Sequence, residues 1–160
     1  MAADNFLKID GIAGESKDEK HKDEIQLLSW SWGASQTGTM AHGGGGGAGK
    51  VQVDDFQFRM NPNKASPKLF LACAGGDHIK SAILTLRKAG KDQQEYQKYT
   101  FTDLLVTSFQ TNSVAGDPLP VESISLNFAL IEFEYKEQKA DGSLSPAIKV
   151  KYDLKRMSSR

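Results

Sequence analysis

Three stretches of this chain alternate apolar and polar residues at the period of a β-strand, then change phase midway. Ile25 and Leu27 share one face of the first stretch, while Leu28, Trp30 and Trp32 share the other. Val51 and Val53 lie in one phase, and Phe56, Phe58 and Met60 take the opposite phase after Asp54-Asp55. Ile124, Leu126, Phe128 and Leu130 hand over to Ile131, Phe133 and Tyr135. Successive strand residues point to opposite faces, so each change moves the buried side across the sheet. β-bulges that bend the strand, or passage between two packed sheets, meet that requirement. Three switches in 160 residues favour a closed or nearly closed barrel over a flat sheet.

The rest of the chain agrees with an all-β class. Phe6, Leu7 and Ile9 start a short strand that ends near Gly11, and Ala82, Leu84 and Leu86 alternate. Glycine, lysine and aspartate at 90–92 turn the chain into a long strand region from Glu95 to Gln110. Residues 112–120 read as a loop, and Asp141-Gly142 is a hairpin turn signal. Ile148, Val150, Tyr152 and Leu154 then alternate strictly. One helix is expected over about 66–74, with Ser66 as N-cap, Pro67 at the first helical position and Gly75-Gly76 as the stop. Leu69, Ala72 and Cys73 form its apolar stripe. About eight strands, one helix and no βαβ rhythm predict mostly antiparallel sheets in a single domain, 1–160.

Composition excludes several function classes. Twenty basic and twenty acidic residues cancel, so no cationic excess points to nucleic acid or to a membrane surface. Near-zero net charge also leaves self-association unopposed. The single cysteine, Cys73, forms no intrachain disulfide and suits a reducing compartment. Residues 1–10 lack the basic-then-apolar pattern of a signal peptide, and no apolar run approaches membrane-spanning length. Residues 14–24 carry three lysines against five carboxylates and read as a solvated loop.

Between the first two phase-switching strands lies a glycine-rich connection over about 34–50, long for a compact domain. Glycine loses more conformational freedom on ordering than any other residue, so this arm cannot stabilise a fold of its own. Gly44 to Lys50 spells G-x-x-x-x-G-K, the beginning of a P-loop. Val51 stands where a P-loop needs Ser or Thr for Mg²⁺, and a strand follows where a helix must open. Nucleotide binding is rejected on both counts.

No catalytic, cofactor-binding or metal-binding residues can be named, and the chain is not expected to be an enzyme. His21, His42 and His78 are not spaced as metal ligands, and no H-E-x-x-H, C-x-x-C or G-x-S-x-G occurs. Asp54 and Asp55 are strand neighbours that point apart, so they mark a bulge rather than a carboxylate pair. Asp77-His78 reads as a turn after the helix stop. In Trp30-Ser31-Trp32-Gly33 the two indoles share a core face, which turns Ser31 outward to a solvent face or the wall of a wet channel.

Several segments together are similar to one family. Phe6-Leu7-Lys8-Ile9, Gly14-Glu15-Ser16-Lys17-Asp18, Trp30-Ser31-Trp32-Gly33, the arm from His42 to Lys50, Leu86-Arg87-Lys88-Ala89-Gly90, Leu126-Asn127-Phe128-Ala129 and Gln138-Lys139-Ala140-Asp141-Gly142 resemble, in this order, the Hcp (haemolysin-coregulated protein) family of bacterial type VI secretion systems. The resemblance spans nearly the whole chain, from Phe6 to about Leu154, and an appended toxin domain is not expected. It implies a β-barrel of two packed, mostly antiparallel sheets with one short lateral helix.

The resemblance also implies a homohexameric ring. Such rings stack into the inner tube of a contractile machine, capped by a VgrG-type spike and surrounded by contractile sheath proteins. The tube is expelled towards a target cell, and its lumen can hold small effector proteins. The chain is then cytoplasmic before assembly and secreted afterwards, without membrane insertion. Two site expectations follow. Gln36, Thr39, Met40, His42, Gly43, Gly44, Gly45, Gly46, Gly47 and Lys50 form a ring-stacking loop, and Ser31 faces effectors in the lumen. The alternative is a secreted, monomeric adhesin-like binding module with no part in a tube.

Overall fold

The computed structural model describes residues 4–38, 50–88 and 93–159. Eleven strands and one helix occur among them: β1 (Asp4–Ile9), β2 (Ile25–Gln26), β3 (Ser29–Ser31), β4 (Ala34–Gln36), β5 (Val51–Val53), β6 (Phe56–Met60), α1 (Ser66–Gly75), β7 (Ile79–Arg87), β8 (Glu95–Asn112), β9 (Val121–Tyr135), β10 (Ile148–Asp153) and β11 (Ser158–Ser159). Every pairing is antiparallel. Nine strands form one sheet, and β4 with β5 forms a separate ribbon. The expected pair of packed sheets is therefore one large bent sheet plus that ribbon.

Closure is also looser than a regular barrel. β2 pairs with β1, and β3 pairs with β6. Between them Leu27 N–H donates to the Asn5 carbonyl (3.0 Å) and Leu28 N–H to that of Arg59 (2.9 Å). The first phase switch is thus a transfer between two ladders, not a bulge. Likewise Asp54-Asp55 carries the chain from the ribbon into β6. The third switch falls inside β9, where Phe128 and Ile131 are both buried and the two residues between them half-exposed. There β9 exchanges β6, paired through Leu126, for β10, paired from Leu130. The register shift of this hairpin lies elsewhere, between Val106 and Ser108 of β8. Asp103, opposite the switch, adopts φ 55°, a left-handed conformation uncommon for a non-glycine residue.

The bent sheet wraps one core, in which Phe56, Phe58, Phe101, Leu84, Leu104 and Leu126 are fully buried. Phe101 lies 4.8 Å from Phe56 and 4.7 Å from Phe128, ring to ring. Trp30 and Trp32 are only partly buried and meet Tyr99 edge-on at 5.5 and 5.6 Å. α1 docks on this core through Leu69 and Ala72, with Cys73 half-buried beside them. Pro67 sits in its first turn, but Ala65 rather than Ser66 holds the N-cap position. Ser66 instead donates its hydroxyl to Glu122 of β9. Gly76 closes the helix in the left-handed conformation at φ 65°, which only glycine adopts freely. The turn at 89–92 lies outside the described residues.

Residues 14–24 are solvated along most of their charged side chains, as expected, but the loop is anchored at three buried positions, Gly14, Ser16 and His21. Ser16 and His21 are buried, and the Gly14 and Ser16 amides donate to Asp23 and Glu24 carbonyls. A Cβ on Gly14 would sit 2.6 Å from the Glu24 carbonyl oxygen, so only glycine permits this packing.

Candidate functional site

Polar residues alternating with the core residues of β3, β6, β9 and β8 gather on one outward face. Strand register arranges them in two lateral rows. Ser29 stands opposite Arg59, Arg59 opposite Ser123, and Ser123 opposite Gln110. In the next row Ser31 stands opposite Gln57, Gln57 opposite Ser125, and Ser125 opposite Ser108. The Ser108 hydroxyl donates to that of Ser125 at 2.9 Å across the register shift. Further along, Asp55 accepts from Thr107 (2.8 Å) and Asn127 (2.9 Å), which fixes the step between ribbon and sheet. Ser31 is exposed, in a trough of about 340 Å³ that Ser29, Gln57 and Ser125 also line. The outward phase expected for Ser31 is the observed one. Gln57, Arg59, Gln110, Ser123 and Ser125 were not singled out from sequence. Their alternation with Phe58, Ile124 and Leu126 was visible, but not which strands are neighbours.

The glycine-rich arm leaves and re-enters through the β4–β5 ribbon, where Gln36 pairs with Val51. Gln36 and Lys50 are exposed at its base. Thr39, Met40, His42 and Gly43, Gly44, Gly45, Gly46 and Gly47 lie outside the described residues. The ribbon side chains Val51 and Val53 are half-buried, so the arm is rooted on the body of the domain.

A second polar cluster was missed by sequence reading. Arg87, at the end of β7, is buried and donates through Nη1 and Nη2 to the two Asp18 oxygens (3.0 and 2.7 Å). Nη2 also reaches Asp4 at 2.8 Å. The Arg87 guanidinium holds the Asp18 carboxyl at about 2, well below the usual carboxylate range, and Asp18 in turn raises Arg87 above its ordinary value. The guanidinium carbon lies 4.9 Å from the Phe6 ring, on which His21 stacks at 4.6 Å. His21 contacts Glu24 (3.0 Å) and Glu95 (2.6 Å). These pairs tie residues 14–24 to β1, β7 and β8. The cluster borders a cleft of about 540 Å³. It fastens a loop and presents no nucleophile, and among the described residues no group of three or more His, Cys, Asp or Glu side chains could hold a metal.

The β9–β10 hairpin carries a different surface. Glu132 and Glu134 meet Lys149 and Lys151 on one face, with Lys149 3.2 Å from Glu132. On the opposite face Tyr135 pairs with Ile148 and Phe133 with Val150, continuing the core face of the sheet outward. Ile148 and Val150 are 69% and 61% exposed, an apolar overhang left uncovered by the described residues of the chain. Among the described residues no helix is long and apolar enough to cross a membrane.

Comparison with known proteins accounts for this architecture. The profile of the family described as "Type VI secretion system effector, Hcp" matches residues 6–135. "Protein hcp1" of Pseudomonas aeruginosa is 51% identical over 144 residues, which cover 89% of each chain. The crystal structure of Hcp1 from Salmonella typhimurium superposes with a TM-score of 0.81 at 43% identity, with full coverage of both chains. A type VI secretion system effector from Yersinia pestis gives 0.76 at 36% identity, covering 94% of this chain and 99% of its own. The chain belongs to the Hcp family, the structural, non-enzymatic proteins that type VI secretion systems secrete.

Proposed function

We propose that this chain is the subunit of a hexameric ring, and that its rings stack into the inner tube of a type VI machine. The observation that carries the reading is the β9–β10 overhang. Its edge from Ile148 to Lys151 is unpaired among the described residues, with Tyr135, Ile148 and Val150 exposed beside it. An unpaired edge with apolar neighbours is a template for another chain. Contact with a different surface of an identical copy generates a ring when the rotation closes. The ring would be made in the cytoplasm, capped by a VgrG-type spike, enclosed by contractile sheath proteins and expelled with them.

Within this reading Gln36, Lys50 and the arm between them contact the adjoining ring. Native mass measurement of the purified chain is expected to give six subunits. Deleting residues 43–47 should preserve that mass but shorten or abolish tubes seen by electron microscopy, since the deletion leaves the β4–β5 ribbon and the core untouched. Tubes of unchanged length would remove the arm from stacking. A strictly monomeric chain would instead favour the adhesin-like binding module.

The serine-rich face around Ser31 is assigned to the lumen, against small effector proteins. Ser31→Arg should leave folding and ring mass unchanged, since exposed substitutions usually shift stability by no more than about 0.5 kcal/mol. Retention of a co-expressed small effector should fall. Undiminished retention would place the cargo on another face.

A further inference from the structure

Arg59 differs from its surroundings on that face. Its row and the next contain serines and glutamines in register, with no other charge. Its guanidinium has no carboxylate within ion-pair distance among the described residues. Asp55 on the same side is already held by Thr107 and Asn127. Arg59 is moreover shared between two depressions: the Ser31 trough, and a cleft of about 170 Å³ bordered by Val114, Leu119 and Val121, with Asn112 and Asp117 also on its rim but no ion pair formed between Asp117 and Arg59. Val114 and Leu119, at the β8–β9 connection, are 59% and 53% exposed.

We propose that Arg59 anchors an acidic polypeptide, whose carboxylate takes the guanidinium while an adjacent apolar side chain enters the Val114–Leu119 cleft. The proposal rests on the reading of this face as the cargo surface, and it names the chemistry of the cargo. A free guanidinium presents a planar fork that matches a carboxylate with two parallel hydrogen bonds. The neighbouring Ser29 and Ser123 hydroxyls and the Gln110 amide can donate to the same anion. A single exposed ion pair contributes only about 0.2–1 kcal/mol. Repetition of the site around a ring supplies the missing affinity through effective concentration.

The test is fluorescence anisotropy of the full chain with a labelled peptide of repeating glutamate and leucine, and a glutamine-leucine peptide as control. Wild-type protein should bind the acidic peptide at least about tenfold more tightly than the control, a difference of about 1.4 kcal/mol. Arg59→Gln should remove that preference, and Arg59→Lys should retain part of it. Equal binding by wild type and Arg59→Gln overturns the proposal, as does a wild type that ignores the acidic peptide. A fall in native mass on Arg59→Gln without loss of peptide affinity also overturns it, because Arg59 would then contact a second copy. Monomeric protein that still loses the peptide on Arg59→Gln supports the anchor while refuting the ring.

Discussion

Arg87→Met is expected to destabilise the fold by about 3–5 kcal/mol at neutral pH, the cost of removing one partner from a buried ion pair. Methionine keeps the volume of the arginine stem, so the loss divides between the ion pairs and the space the guanidinium vacates over Phe6. Asp4 and Asp18 keep 34% and 21% of their side-chain surface in water, which places the result near the lower end. The pH dependence identifies the cause. Hydrogen bonding to Arg87 lowers Asp18 from 3.8 to about 2, so its contribution is fully present above the unfolded value. That contribution is lost as pH falls through the folded value. The variant lacks the depression, so its deficit against wild type should shrink between about pH 7 and about pH 3, read from urea midpoints at both. A deficit independent of pH would show that packing on Phe6, not the Asp18 pair, is what Arg87 supplies.

That cluster also shows where local patterns stop being informative. The charged composition of residues 14–24 is that of a solvated loop. Most of its side chains are indeed in water, but its anchoring comes from partners far along the chain: Arg87 for Asp18, and Glu95 for His21. Neither pairing leaves a periodic signature. The phase switches, by contrast, were legible, because core burial imposes alternation on each strand separately. What each switch accomplishes was not. Leu27-Leu28 and Asp54-Asp55 are transfers between ladders, whereas the one register shift within the long hairpin sits at Val106, Thr107 and Ser108, ordinary strand residues on either side of it. Helix limits were readable from Pro67 and Gly76, whose backbone constraints are local. Ser66 was misassigned because its hydroxyl is drawn to Glu122.

The same division holds for the candidate site. The side of β3 that Ser31 occupies followed from its tryptophan neighbours, since alternation is a property of one strand. Its companions Gln57, Ser125 and Ser108 depend on which strands pair, and in what register. The isolation of Arg59 is likewise a property of the assembled face.

Phe101→Ala should have the largest effect on the core, about 3–5 kcal/mol. The side chain is fully buried, and its ring touches Phe56 from β6 and Phe128 from β9. Truncation empties the space between strands that are distant in sequence, and the surrounding aromatic rings are too stiff to collapse into it. For a domain of this size each kcal/mol corresponds to about 2–4 °C, so the midpoint of thermal unfolding should drop by about 6–20 °C. Phe101→Leu, which refills most of the volume, should cost about 1 kcal/mol. The pair of variants separates cavity formation from loss of aromatic contact, because equal penalties for alanine and leucine would assign the effect to the rings. A penalty below about 1 kcal/mol for alanine would show that this bent sheet can relax around the void. Assembly supplies an independent readout. A loss of about 3–5 kcal/mol is a large fraction of the stability of a domain near the lower end of the typical 5–15 kcal/mol. In the proposed ring, assembly is linked to folding, so mixing excess wild-type subunits with Phe101→Ala should raise the variant's apparent midpoint.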